Sequence, residues 1–325
     1  MDEPVYETQT DLSAISKAVS DIKQEISKIV IGQQKIQDQL IAALLCDGHV
    51  LIEGVPGLAK TLLAKLMART MKTNFSRIQF TPDMMPADVI GTSVFNSKTT
   101  EFEFRPGPIF SNIVLIDEIN RAPAKTQSAL FEVMEERQIT VDGKTYKMKP
   151  PFMVIATQNP IEQEGTYRLP EAQLDRFMFK ITIDYPTQAE EELILQSYHN
   201  QEDNKDLNLI RPVLDEASIA TIQKKVRGIF IDNNLIKYIS SIINLTRNHG
   251  SLYLGGSPRA SIAIMQGAKA LAAMTGRDFV IPEDIKDIAP SVLKHRIILT
   301  PEREMEGLGP ADIVNQIIQS VEIPR

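Results

Sequence analysis

The sequence predicts an α/β domain built on a parallel β-sheet, followed by a smaller domain made of helices. Several uninterrupted apolar runs in the first part are typical of buried parallel strands. The first of these runs leads through a loop rich in glycine and proline into a helix, as strand–loop–helix units do. From about residue 187 onward helical periodicity dominates and strand-like runs nearly vanish. A length of 325 residues is that expected of about two domains.

The composition is that of an ordinary globular protein. Hydrophobic residues make up 43% of the chain and charged residues 24%. The net charge of -7 gives no overall basic footprint for nucleic acid. The N-terminus is acidic and lacks the apolar segment of a signal peptide, and no apolar run approaches the length of a membrane span. We therefore expect a cytoplasmic protein without a membrane span.

The elements of the α/β part follow from periodicity and turn signals. Apolar residues at helical spacing predict helices over about 11–30, 33–47 and 123–136. Apolar or alternating runs predict strands near 50–53, 75–80, 112–117, 152–157 and 179–183. Hairpins are expected at 95–104 and at 138–148, where the second turns at Asp-Gly. Residues 81–91 break regularity, and 105–110 read as a loop.

The second part is expected to be helical. Helices are predicted near 188–199, 215–228, 232–248, 258–275, 282–294 and 310–320, with a polar linker at 202–211. Ser257 is expected to be the N-cap of the helix that Pro258 opens. Arg259 then falls in the first helical turn, which is unfavourable for a cation. This placement suggests an anion from outside the helix as the partner of Arg259.

The segment from Gly54 to Thr61 reads G-x-x-x-x-A-K-T, one residue away from the phosphate-loop pattern. Backbone N–H groups of such a loop and the start of the next helix point at an anion. Lys60 can reach the β- and γ-phosphates, and the Thr61 hydroxyl can ligate Mg²⁺. Ala59 replaces the glycine of the pattern, and its added methyl group is expected to fit if the residue has a negative φ. The alternative is an ordinary strand-to-helix turn with a surface lysine.

Two acids, Asp117 and Glu118, directly follow the apolar run 113–116. The carboxyl ends of parallel strands are where open α/β sheets bind ligands. Asp117 is placed to hold Mg²⁺, and Glu118 to orient and deprotonate an attacking water. The alternative is a strand that ends in solvated acids. The acids lie 57 positions after Lys60 with one strand between, which suits a shared nucleotide.

Two further polar residues are candidates for the reaction. Asn159 follows a predicted strand, where its amide could contact the γ-phosphate or the attacking water, or merely cap the turn before Pro160. Arg176 could stabilise transition-state charge, as arginines do in phosphoryl transfer, or form a surface salt bridge with Asp175 or another acid. The acids at 132, 135 and 136 fall on a predicted helix and are interpreted as a solvated face.

With these residues in view, the chain resembles the MoxR family of AAA+ ATPases from about residue 29 to about 311. The resemblance is carried by a set of motifs in one order: Ile31-Gly32-Gln33, Gly54 to Thr61, Arg105 to Phe110, Leu115 to Pro123, Ala156 to Pro160, Leu169 to Phe177 and Ser257-Pro258-Arg259. Alanine before the lysine is similar to what that family tolerates. The resemblance implies a P-loop NTPase (AAA+) fold, with a five-stranded parallel sheet core and a C-terminal helical lid.

The resemblance also implies domain limits, cofactors and site roles. An N-terminal helix would span 1–30, the nucleotide-binding domain 31–190 and the lid 212–325, with ATP and Mg²⁺ as cofactors. Glu118, Asn159 (sensor 1) and Arg176 (arginine finger) would be catalytic, and Thr61 and Asp117 would hold the metal. Nucleotide binding would involve Ile31 and Gly32 near the adenine, then Gly54, Val55, Pro56, Gly57, Leu58, Ala59, Lys60, Thr61 and Leu62, and Arg259 as sensor 2.

As to function, the resemblance implies an ATP hydrolase in a homo-oligomeric ring, a hexamer, with chaperone-like activity on a protein client. Clients of the family often carry a von Willebrand A domain, and some members assist metal-cofactor insertion. One alternative is a nucleic-acid-directed motor with Lys144, Lys147 and Lys149 lining a pore. The acidic total and the lack of stacking aromatics argue against it. Another is a nucleotide-gated scaffold with little turnover.

Overall fold

The computed structural model describes residues 11–55, 57–160, 166–199 and 207–323, so Pro56 and the start of the linker 202–211 lie outside it. Helices and strands alternate in the first part of the chain. In chain order the elements are α1 (Ser13–Ser27), α2 (Gln34–Leu45), β1 (Val50–Glu53), α3 (Lys60–Thr70), β2 (Phe75–Gln79), α4 (Pro86–Ile90), β3 (Gly91–Asn96), β4 (Glu101–Pro106), β5 (Ile113–Asp117), α5 (Ala124–Glu136), β6 (Gln138–Val141), β7 (Lys144–Lys147), β8 (Met153–Gln158), α6 (Glu171–Leu174), β9 (Phe179–Thr182) and α7 (Gln188–His199).

Within the described residues, five strands form one parallel sheet in the order β2-β5-β8-β1-β9. Three of these strands, β1, β5 and β8, are interior and almost wholly buried. Both faces of a parallel sheet are covered by helices, so such strands consist of continuous apolar residues. The sheet and its five strands confirm the fold predicted from the sequence.

The two faces of the sheet belong to two hydrophobic cores, because successive side chains of a strand point to opposite faces. Val50 and Ile52 of β1 pack into the core that also contains α1, α2, α3 and the second domain. Leu51 packs into the other core, with α5 and the hairpins β3–β4 and β6–β7. The helical lid and the hairpins therefore lie on opposite faces of the sheet.

The second part of the chain is predominantly helical. Its elements are α8 (Glu216–Arg227), α9 (Asn233–Asn248), β10 (Leu252–Leu254), α10 (Pro258–Met274), α11 (Pro282–Leu293), β11 (Ile298–Leu299), α12 (Pro301–Met305) and α13 (Pro310–Ser320). The lid packs against the edge strand β9: a Cβ on Gly267 of α10 would lie 3.2 Å from the ring of Phe179. The lid is thus seated on the sheet beside β1 and the loop that follows it.

Two local predictions were wrong, and three short elements of the described lid were not predicted. Residues 81–91 contain the helix α4, where Pro86 takes the first position and the Asp88 carboxylate accepts from Met85 N–H at 2.8 Å. Arg105 and Pro106 belong to β4 rather than to a loop. The lid contains the antiparallel pair β10–β11, and it contains α12. The helices α4 and α12 have five residues each, and β10 and β11 have three and two, so hydrophobic periodicity does not identify them.

Candidate functional site

The predicted phosphate loop joins β1 to α3. The Lys60 ammonium lies at the start of α3 and donates to the Gly54 carbonyl at 2.6 Å. Burial lowers the pKa of Lys60, while the nearby carboxylates of Asp117 and Glu118 raise it. Gly57 has a φ of +87°, and a Cβ there would meet nothing within 4 Å. The loop thus presents open space in front of a partly buried cation, which suits a polyphosphate.

Ala59 does not meet the condition of a negative φ under which alanine was expected to fit. Its φ is 55° and its ψ is 18°, so this residue is in the left-handed region immediately before α3. The pattern has glycine here because a Cβ destabilises that conformation. The expectation was therefore wrong in its geometry, and alanine occupies the position with the backbone of a glycine.

The ends of β5, β8 and α3 bring oxygen atoms together. The Thr61 hydroxyl lies 3.5 Å from Asp117 Oδ2, and the Thr157 hydroxyl donates to Asp117 Oδ1 at 3.2 Å. Asp117 is buried, so its carboxylate has a defined orientation toward Thr61. A hydroxyl and a carboxylate are oxygen ligands of the kind Mg²⁺ prefers, and they converge beside the Lys60 helix. These residues fit a magnesium ion bound together with phosphate.

Glu118 directly follows β5 and has a strained backbone. Its φ of 57° places a non-glycine residue in the left-handed region, and its N–H donates to the Thr157 hydroxyl at 3.0 Å. Such strain persists where the surrounding structure fixes it, and it is concentrated at functional sites. The turn directs the Glu118 side chain away from the direction that a continued strand would give it.

The side chains that hold the two acids were not predicted from the sequence. Arg77 Nε lies 2.6 Å from Asp117 Oδ2. Gln79 Nε2 donates to Glu118 Oε2 at 2.8 Å, and Arg121 Nε contacts the same oxygen at 3.0 Å. Alternation along β2 places Arg77 and Gln79 on one face, and the pairing of Gln79 with Asp117 brings them to the acids. That register was the only signal available, and it requires knowing the strand order.

Ile31 and Gly32 lie just before α2. Gly32 has a φ of +72°, and a Cβ there would overlap the Glu190 carboxylate of α7. The Glu190 side chain also caps α7 by accepting from Thr187 N–H at 2.8 Å. Glycine is therefore required at this turn, because the backbone has a positive φ and because a side chain would collide with Glu190. Asn159 directly follows β8, at the same sheet edge as Thr157.

The two candidate arginines meet on one carboxylate. Arg176 Nη1 donates to the Phe131 carbonyl at 2.8 Å and lies 3.5 Å from Glu135 Oε2. Arg259 forms an ion pair with Glu135 Oε1. Glu132, Glu135 and Glu136 are all exposed, as predicted for a solvated face, but Glu135 also pairs with both arginines. Ser257 is at the N-cap position as expected, but its hydroxyl donates to Asp175 at 3.1 Å instead of capping the helix.

The arginine pair and the phosphate loop lie at opposite ends of the parallel strands. Lys60, Asp117 and Glu118 are at the carboxyl ends of the strands, whereas Arg176 precedes the amino end of β9. Glu135 is in the last turn of α5, the helix that runs back after β5. A strand of five residues spans roughly 17 Å, so these two groups cannot contact the same phosphate within one chain.

Comparisons with known proteins agree with this geometry. Residues 49–179 match the family model for ATPases associated with various cellular activities (AAA), and residues 244–317 match the model of the AAA lid domain. The crystal structure of a candidate ATPase from Cytophaga hutchinsonii superimposes with a TM-score of 0.89 at 40% identity, covering 97% of each chain. The fold and the site define a P-loop ATPase of the AAA class with a helical lid.

Two relatives indicate to which family of AAA ATPases the chain belongs. The uncharacterized protein YeaC of Bacillus subtilis is 48% identical over 93% of each chain. Chaperone MoxR1 of Mycobacterium tuberculosis is 42% identical over 93% of this chain and 81% of its own length. The chain belongs to the MoxR family of AAA+ ATPases, and its activity is the hydrolysis of ATP. Among the described residues, no helix has both the length and the apolar character to cross a bilayer.

Proposed function

We propose that this protein is a Mg²⁺-dependent ATPase that works as a ring of identical subunits and couples hydrolysis to the remodelling of a partner protein. In this proposal Lys60 binds the β- and γ-phosphates, Thr61 and Asp117 hold the metal, and Glu118 activates water. Asn159 contacts the γ-phosphate or the attacking water, and Ile31 and Gly32 lie beside the adenine. The magnesium ion neutralises charge on the phosphates.

The proposal of a ring is supported by the separation of two groups of candidate residues, the phosphate loop with its acids and the arginine pair. Arg176 and Arg259 both contact Glu135 near the amino ends of the strands, whereas Lys60 lies at their carboxyl ends. If these arginines serve a nucleotide, that nucleotide belongs to a neighbouring copy. A surface that offers a nucleotide at one end and arginines at the other makes a head-to-tail contact, which closes into a ring when the rotation permits. We propose a hexamer.

A chaperone role is supported by the relative MoxR1, whose name describes it as a chaperone. We propose that the client is a protein, with a von Willebrand A domain as the first class to test. The acidic net charge of -7 argues for protein over nucleic acid as the target. Nucleotide-driven motion of the lid against the sheet would perform the work on the client.

The shared site is tested by mixing two inactive variants. We expect Lys60→Ala to abolish nucleotide binding, and Arg176→Ala to lower kcat about a thousandfold or more while nucleotide affinity stays within twofold. A mixture restores turnover because a Lys60→Ala copy can supply Arg176 to the intact nucleotide site of an Arg176→Ala copy. At a 1:1 ratio about a quarter of the interfaces are intact in randomly assembled rings.

The measurement is steady-state phosphate release over a range of mixing ratios, with fluorescent-nucleotide binding in parallel. A Lys60→Ala/Arg176→Ala double variant mixed with Arg176→Ala is the matched control, since it supplies neither half. Turnover that stays at the level of this control at every ratio would contradict the shared site. Turnover that peaks at an intermediate ratio supports it.

A further inference from the structure

Arg296, just after α11, is the most completely bonded charged side chain of the lid among the described residues. Its side chain is only 3% exposed. Nε donates to Asp175 Oδ1 at 2.7 Å, Nη1 to the carbonyls of Met178 and Val292 at 3.0 and 2.6 Å, and Nη2 to the carbonyls of Asp175 and Phe177 at 3.1 and 2.6 Å. A guanidinium has five N–H groups, so every donor is used.

Four of these five acceptors surround Arg176 in the sequence. They belong to Asp175, Phe177 and Met178, that is, to the residues on both sides of Arg176. Neighbouring lid groups add to the same segment. The His295 ring bonds the Phe177 carbonyl at 3.0 Å, and the Ser257 hydroxyl donates to Asp175. The backbone that carries Arg176 is therefore held by the lid.

The same lid turn also contacts the nucleotide side of the sheet. Lys294 donates to the Thr182 hydroxyl at the end of β9 at 2.6 Å. Thr182 is paired with Glu53, the residue before Gly54 of the phosphate loop. Three consecutive lid residues thus touch both ends of β9, one near the protein's own loop and the other beside Arg176. A movement of the lid would shift both ends together, because short hydrogen bonds join the lid to each of them.

We infer that Arg296 is a positioning residue that fixes Arg176 for the nucleotide of the neighbouring copy. The inference rests on the proposed shared site, and it adds the residue that positions Arg176 in that site. Arg296 does not reach the nucleotide itself. It acts by holding the carbonyls and the carboxylate on either side of Arg176, while Glu135 holds the guanidinium at the other end. A misplacement of about 1 Å in such a group costs roughly a hundredfold in rate.

The test places Arg296→Gln in one partner of the mixed ring at a time. In the first arm, Lys60→Ala/Arg296→Gln copies supply Arg176 to Arg176→Ala copies. In the reciprocal arm, Arg176→Ala/Arg296→Gln copies supply the nucleotide site and Lys60→Ala copies supply Arg176. We expect kcat of the first arm to fall at least tenfold below the plain mixture, with KM unchanged, and the reciprocal arm to stay within twofold.

A merely structural role of Arg296 would lower both arms alike, and that result overturns the inference. Equal turnover of the first arm and the plain mixture overturns it as well. Lys60→Ala/Arg277→Gln is the matched lid control, because Arg277 is a half-buried lid arginine paired with Asp284 at 2.6 Å and away from Asp175. It is expected to support the plain mixture's turnover.

A second variant covers the case in which Arg296→Gln does not fold, as judged by its thermal unfolding. Asp175→Asn keeps an acceptor for Arg296 and removes the charge of the pair, and it replaces Arg296→Gln in both arms with the same expected asymmetry. Turnover equal to the plain mixture overturns the inference here too. If the plain mixture itself gives no turnover, the shared site fails, and the positioning role fails with it. The two failures are distinguished by that mixture alone.

Discussion

At the scale of single residues, Ala59 shows how the phosphate loop departs from its pattern. A left-handed φ of 55° is costly for any residue with a Cβ, and the loop imposes it because the chain must turn into α3 with its N–H groups toward the phosphates. The sequence contained the substitution but not the angle. From alanine alone a negative φ is the reasonable expectation, and only the geometry of the neighbouring residues overrides it.

We expect Ala59→Gly to raise the free energy of unfolding by up to about 1.5 kcal/mol. Glycine relieves about 1–2 kcal/mol of left-handed strain and loses roughly 0.5–1 kcal/mol through the greater entropy of its unfolded chain. Ala59→Val should lower stability by about 1–3 kcal/mol, because a β-branched residue fits this conformation poorly. Urea unfolding checks both values.

The control for this series is Ala68→Gly, buried in the last turn of α3, where the backbone is helical. Glycine there should lower stability by about 1 kcal/mol or more. If Ala59→Gly lowers stability as much as Ala68→Gly does, the left-handed strain at Ala59 is refuted. A gain at 59 beside a loss at 68 supports it.

At the scale of elements, His49 joins β1, β8 and the end of α5. The Val154 N–H of β8 donates to Nδ1 at 3.0 Å, so Nε2 carries the proton and donates to the Met134 carbonyl at 3.1 Å. Burial lowers the pKa of His49 to about 3, and the nearby Arg137 adds to the effect. The imidazole therefore serves these three elements only in its neutral form.

This geometry predicts that acid weakens the fold. Between pH 6.5 and about 3 the unfolded chain binds a proton at His49 that the folded chain does not, so stability is complete above pH 6.5 and decreases as pH falls. The loss is about 1.4 kcal/mol per pH unit, or roughly 2 kcal/mol between pH 7.5 and 5. His49→Gln should be less stable at pH 7.5 but should lose about 2 kcal/mol less than the parent on acidification.

Urea unfolding at the two pH values measures this difference. His295 is also buried, and its pKa is lowered in the same direction, so it contributes equally to parent and variant. His199→Gln, at an exposed position of α7, is the control and should keep the parent's pH slope. Parallel stability curves for the parent and His49→Gln would refute the assignment.

Elements also show what the sequence could and could not predict. The interior strands were found because each is a continuous apolar run whose burial depends on local composition. The pair β10–β11 was missed because its strands contain three and two residues. In the site, Lys60, Asp117 and Glu118 follow from motifs. The contact of Arg259 with Glu135 joins positions 124 residues apart, so it depends on how the lid is seated on the sheet and not on any local pattern.

At the scale of the whole molecule, the distribution of the site explains why one chain would be a poor ATPase alone. The residues proposed to bind phosphate and activate water lie at the carboxyl ends of the strands, and the arginine pair lies near their amino ends. The lid contacts both ends of β9 through Lys294 and Arg296. In the proposed ring, a lid movement driven by one nucleotide would alter the position of the arginines that face the next copy, and this would link hydrolysis in successive subunits.

If the protein works as the proposed ring, its ATP-bound form is the one most suited to capturing the proposed client. Glu118→Gln keeps the metal and phosphate ligands but removes the base, so hydrolysis should fall about 10²–10⁴-fold while ATP stays bound. We expect an affinity-tagged Glu118→Gln protein to retain its client with ATP and to release it with ADP. The control is the double variant Lys60→Ala/Glu118→Gln, which differs from Glu118→Gln only in the loss of the lysine that binds ATP. It should retain no protein above background.

The captured protein then has to act on the enzyme, because co-purification alone does not define a client. Once purified, it should change the parent's steady-state turnover at least twofold and should leave the ring on hydrolysis, measured by phosphate release and by co-sedimentation. Identical protein sets from the two tagged variants would contradict nucleotide-gated capture. Capture that disappears after nuclease treatment would instead identify a nucleic acid as the target, a result that the acidic charge of -7 argues against because phosphate backbones are held by positive side chains.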